Sequence, residues 1–167
     1  MTSTERPLTP GETALAQGVF GDAIDYTAVR LHARKWAFFQ PRGIVMAPMG
    51  HLHFHPGGDL YCADFSCPPG DAPSDRMRWQ GLFIHEMTHV WQAQTRGRWY
   101  LVLMRHPFTS YAYTLKPGWP LTRYGLEQQA EIVRHFWLLT QGVPIAGAAS
   151  VEAYRAILPF GGVAAAD

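Results

Sequence analysis

At 167 residues the chain has the length of one domain, long enough to bury a core without disulfide support. Apolar residues make up 47% and charged residues 16%, which excludes a disordered composition, and a formal net charge of +1 excludes a basic field for nucleic acid. The first ten residues are polar and lack an apolar h-region, and no apolar run is long enough to span a bilayer. The expectation is one domain over 1–167, with 1–7 and 161–167 flexible. It would be cytoplasmic as synthesised, with any export proceeding without a Sec signal peptide.

A short helix is predicted over 9–20, where Thr9-Pro10 supplies a cap and a first-turn proline. Residues 26–39 contain a β-like run in which Val29 and Leu31 alternate with Arg30 and His32. Residues 44–54 read as one or two strands broken near Pro48-Met49-Gly50, followed by a turn at Pro56-Gly57-Gly58. The stretch 60–75 is rich in Pro, Gly and Asp and reads as an irregular loop. The best helix begins at a Ser74 or Asp75 cap and runs to about Arg96, before Gly97. Trp79, Leu82, Phe83, Ile84, Met87, Val90 and Trp91 cover most of its circumference, which marks it as central. Residues 98–104 are strand or helix and 107–120 are loop. A second strong helix covers 121–141 and a weaker one 151–158.

The central helix carries His85-Glu86-Met87-Thr88-His89, an H-E-x-x-H motif. Residues i and i+4 share a helix face, so two imidazoles can reach one ion. Zinc takes imidazole nitrogen at about 2.0–2.1 Å and prefers four tetrahedral positions. Glu86, beside the first ligand, is placed to move a proton from a zinc-bound water to a leaving group. The composition of the helix adds weight, because ionisable groups among Leu, Phe, Ile and Val are costly unless paired or ligating. The set predicts one Zn2+ held by His85 and His89 with Glu86 as catalytic base.

The third ligand lies elsewhere. Gln92 and Thr95 stand where the contiguous long motif needs Gly and His, which argues against the metzincin type. Glu127 and Glu131 share a face of the second helix. One carboxylate can bind zinc while the other accepts a hydrogen bond from the free nitrogen of a ligand His. Glu127 is favoured as ligand, with His106 and His135 as rivals; His135 can also be an outer partner. Tyr113 and Tyr124, with Tyr111 nearby, are candidate catalytic hydroxyls for stabilising an oxyanion. His51, His53 and His55 alternate on a predicted strand and read as a second metal site, a cleft edge or a solvated face. Cys62 and Cys67 are too few for a disulfide framework, and either a local disulfide or two thiols fits.

H-E-x-x-H followed by Glu127-x-x-Ala130-Glu131 resembles the gluzincin arrangement. The resemblance implies Glu127 as third zinc ligand and Glu131 in place of the usual orienting Asp. Leu8-Thr9-Pro10-Gly11-Glu12, Val19-Phe20-Gly21, Ile24-Asp25-Tyr26, Val29-Arg30-Leu31-His32 and His85 through Gln92 are similar to DUF4157-type metallopeptidase-like domains. They resemble in particular the Vgr-related bacterial proteins of type VI secretion and contractile injection systems. Trp91 departs from the usual aliphatic residue.

The expected fold is α+β and zincin-like: a small, mostly antiparallel sheet packed on the H-E-x-x-H helix, with a second ligand-bearing helix. The expected function is a zinc metallopeptidase acting on a peptide or protein substrate, with secretion-apparatus proteins as further partners. The alternatives are a peptidoglycan amidase-type effector, autoprocessing of a neighbouring protein, and a non-catalytic zinc-stabilised adaptor.

Overall fold

The structure, a computed structural model, describes residues 4–104 and 110–160. In chain order it contains β1 (Glu5–Pro7), α1 (Pro10–Phe20), β2 (Arg30–His32), β3 (Leu52–His53), α2 (Pro73–Arg96), α3 (Tyr100–Met104), α4 (Leu126–Thr140) and α5 (Val151–Arg155). Short 3-10 turns at Tyr26–Ala28 and Leu121–Arg123 precede β2 and α4. The architecture is α+β, with one small sheet and a helical pair at its centre.

Residues 5–7, part of the 1–7 segment expected to be flexible, form a strand, and residues 1–3 of that segment lie outside the described residues. The reason lies in α1. Its cap is a reciprocal box: the Glu12 N–H donates to Thr9 Oγ1 at 3.0 Å, and the Thr9 N–H donates to Glu12 Oε2 at 2.9 Å. Glu12 is fully buried and also receives both Arg6 guanidinium nitrogens at 2.8 Å and the Phe65 N–H at 3.0 Å. A buried carboxylate that needs its cation thus fixes β1, the start of α1 and the 60–75 loop together.

The sheet order is β1-β2-β3. β1 and β2 pair antiparallel, with Arg6 opposite Leu31, but β2 and β3 pair parallel, with Leu31 opposite Leu52. The sheet is therefore half parallel, not mostly antiparallel. A parallel neighbour requires a long crossover, and residues 33–51 supply it. Met46 adds one antiparallel bridge to His53 on the way. Leu31 and Leu52 are fully buried, which anchors the register.

α2 starts one residue before Ser74, with Pro73 in the first turn and Ala72 as a cap lacking a side-chain bond. Ser74 and Asp75 lie inside the helix, where proline's preset φ does the work assigned to them as caps. Gly97, at φ 100°, closes it with a backbone conformation that other residues rarely adopt. Phe83 is fully buried and stacks on Phe65 at 5.4 Å, which in turn stacks on Phe54 at 5.7 Å. This ladder joins the middle of α2 to the end of the sheet.

α4 crosses α2 along its buried face, through Ile132, Val133 and Phe136. It begins at Leu126, later than the predicted 121. Tyr124 is extended (φ −86°, ψ 158°) and separates the 3-10 turn from the helix. Gln128 Oε1 then accepts the Gly125 N–H at 2.9 Å and starts the new helix. Cys62 is buried and Cys67 exposed, both as free thiols. No described helix is long and apolar enough to cross a membrane. The predicted tail 161–167 lies outside the described residues.

Candidate metal centre

His85 and His89 sit one turn apart on the buried stretch of α2, and Glu127 faces them from the first turn of α4. His85 Nε2 lies 3.3 Å and His89 Nε2 3.2 Å from the same oxygen, Glu127 Oε2. The three residues are 7%, 2% and 1% exposed, so water does little to solvate them. Among the described residues this is the one set of three or more His, Cys, Asp or Glu whose ligand atoms all lie within 4.8 Å of one another.

Each ring is turned inward by an outer hydrogen bond. The His85 Nδ1–H donates to Glu131 Oε1 at 3.0 Å. The His89 Nδ1–H donates to Gln92 Oε1 at 2.8 Å. Gln92 is itself held, since its Nε2 donates to Leu126 O at 3.1 Å and to Gln129 Oε1 at 3.0 Å. Both imidazoles therefore present Nε2 lone pairs to one point, where a carboxylate oxygen also points. Three acceptors converging in a buried space repel one another unless a cation lies between them. Without a metal a proton takes that role: burial lowers the His85 pKa, but its hydrogen bonds to Glu127 and Glu131 outweigh burial and raise it to about 9. Burial pushes Glu131 up, yet its bonds to His85 and Arg134 hold it down at about 2. The donor set and its charge demand fit a borderline-soft divalent ion such as zinc.

Glu86, 6% exposed, stands apart from the converging set and lines an open cleft of about 280 Å³ with His85, Tyr111 and Glu131. Gly43, Ile44, Val45, Leu60 and Leu82 form its apolar wall, and Arg78 and Arg134 also line it. The chain thus combines a buried ligand set with an open cleft lined by one of its histidines and by the carboxylate residue beside it.

The tyrosines are placed differently from the sequence expectation. The Tyr124 hydroxyl accepts the Lys116 N–H at 2.8 Å, and its ring is 6% exposed. The Tyr113 hydroxyl bonds His135 Nδ1 at 2.6 Å and Tyr154 Oη at 2.8 Å, and burial raises its pKa. Neither lines the cleft; their hydroxyls are committed to holding loop 110–120 on α4 and α5. Tyr111 is the cleft tyrosine, its ring 6.1 Å from that of His85.

His135 is joined to the centre only indirectly, with Nε2 3.3 Å from Glu131 Oε2. His106 lies outside the described residues. His51, His53 and His55 do not line the cleft. His53 stacks on His32 at 4.3 Å, and His51 meets His32 edge-on at 5.8 Å. His55 instead accepts the Gly57 N–H in the following turn. Sequence reasoning missed Gln92 as an orienting residue, although its place three residues after His89, on the same helix face, was a usable signal. It also missed Arg134, for which the i,i+3 spacing from Glu131 was the only hint.

No family model matches the chain. Over 140 residues it is 44% identical to the type VI secretion system spike protein VgrG2b of Pseudomonas aeruginosa, covering 80% of this chain but only 13% of that protein. The effector domain of Pseudomonas aeruginosa VgrG2b superposes with a TM-score of 0.72 at 38% identity, covering 92% of this chain and 83% of the domain.

Proposed function

The chain belongs to the family of the VgrG2b effector domain, and we propose that it is a zincin-like zinc metallopeptidase deployed through a type VI secretion apparatus. The observation that carries this reading is the convergence of His85, His89 and Glu127 beside a cleft that His85 and Glu86 line. The open cleft favours a catalytic site over an adaptor's structural site, which would be closed by four protein ligands.

His85, His89 and Glu127 would hold the metal. Bound there, zinc supplies Lewis acidity for polarising a carbonyl and acidifying a water molecule. Glu131 and Gln92 keep the two imidazoles in the tautomer and orientation that ligation needs. Glu86 takes a proton from the attacking water and delivers it to the departing amide nitrogen. Tyr111, beside His85, donates to the carbonyl oxygen as it gains charge. Ile44, Val45, Leu60 and Leu82 give an extended substrate an apolar wall and reduce water access.

The test is Glu86→Gln, which removes the base and keeps the shape. Zinc content measured by plasma emission should equal that of the wild type, at about one per chain. Turnover of peptide and casein substrates should fall by about 10²–10⁴-fold. Full activity in the variant refutes the mechanism. Incubation with purified sacculi in parallel separates a peptidase from a peptidoglycan amidase.

A further inference from the structure

The cleft has a charge asymmetry that proton transfer does not use. Two guanidinium groups line it, Arg78 on α2 and Arg134 on α4. Arg134 passes over Gly81 of α2, where a Cβ would lie 3.3 Å from its Nε and 3.7 Å from its Cγ. Arg78 stands three residues before Gly81, toward the start of α2. Arg134 is paired with Glu131 at 3.1 Å and is thereby partly neutralised. Arg78 is exposed, and its guanidinium lies 5.8 Å from the Trp79 ring centroid. The acidic groups lining the cleft, Glu86 and Glu131, sit beside His85, and Arg134 is held there by Glu131, so Arg78 is the lining cation away from that end.

We propose that Arg78 selects an acidic side chain of the substrate. The proposal rests on the peptidase reading of the cleft and adds a substrate class to it. Position follows from helix geometry. Arg78 precedes His85 by seven residues, about 10 Å along the helix axis. An extended peptide advances about 3.3 Å per residue. The acidic residue therefore lies about three residues from the bond that is cleaved, with its neighbours against Ile44, Leu60 and Leu82. Asp and Glu are the matching side chains, and Lys or Arg at that position is disfavoured by like charge.

The experiment separates binding from cleavage. Fluorescein-labelled ten-residue Ala/Leu peptides carry one Asp, Asn or Lys at successive positions. Their affinity is measured by fluorescence anisotropy on zinc-loaded Glu86→Gln, which traps them uncleaved, and on the double variant with Arg78→Glu. The expected result is about two- to fivefold tighter binding of Asp than Asn at one or two adjacent positions, typical of an exposed ion pair. The preference should shrink in 0.5 M salt and reverse toward Lys in the double variant. Equal binding of Asp and Asn peptides, or a preference that survives Arg78→Glu, overturns the proposal. Cleavage by the wild-type protein is read in parallel. Selective binding without cleavage refutes the peptidase reading and leaves the acidic specificity standing, whereas cleavage without selectivity does the reverse.

Discussion

Raising the pH of the metal-free protein should destabilise it, and the size of the effect follows from His85. Its ring lies between Glu131 at 3.0 Å and Glu127 at 3.3 Å and is 7% exposed. Those carboxylates lift its pKa from 6.5 to about 9 in the folded chain. A folded pKa above the unfolded one means that the native state holds a proton the unfolded state has released. The stabilisation is complete below about pH 6.5 and is lost as pH rises through about 9. At roughly 1.4 kcal/mol per pH unit between about 6.5 and 9, the loss is of order 3 kcal/mol. The assay is urea denaturation followed by circular dichroism on chelator-treated protein between pH 6 and 9.5. The His85→Gln variant should lack this slope. Zinc-loaded protein should show the opposite trend, because the metal replaces the proton and binds better as its competitor leaves. Metal-free stability that stays flat across this window, or an equal slope in His85→Gln, refutes the claim that the converging acceptors demand a cation.

Three further outcomes are expected. Glu127→Ala should purify with little or no zinc under conditions that leave about one per chain in the wild type; full retention on plasma emission would move the third ligand elsewhere. Arg6→Ala strands the fully buried Glu12 carboxylate and should cost about 3 kcal/mol in urea denaturation, and a loss below about 1 kcal/mol would contradict the clamp described for β1 and α1. Burial, together with the neighbouring His32, His51 and Arg34 charges, lowers the His53 pKa to about 4. The unfolded chain then binds the extra proton first, so stability should fall as pH drops from about 6.5 to 4, and His53→Gln should flatten that acid slope in the same assay.

The two long helices and the H-E-x-x-H motif were legible because they depend on local spacing. A helix repeats every 3.6 residues, so His85 and His89 share a face wherever that helix is packed. The capping pattern at Thr9 and the stop at Gly97 are local in the same sense. The apolar run around Phe83 and Met87 marked α2 as central before any partner was known. Other features depend on what folding brings together. Whether 5–7 is ordered is settled by a carboxylate six residues away that needs Arg6 as its cation. Whether β3 runs parallel to β2 is settled by the path of residues 33–51. Gln92 becomes an orienting residue only because α4 supplies Leu126 O and Gln129 for its amide. Tyr113 and Tyr124 are turned to other partners by loop 110–120, and Tyr111 is left at the cleft. Composition and periodicity by themselves determined the central helix, its two histidines and the adjacent carboxylate. Only the tertiary structure decided which glutamate meets them, which tyrosine reaches the cleft and where the arginines stand, because each is a contact between elements far apart in the chain.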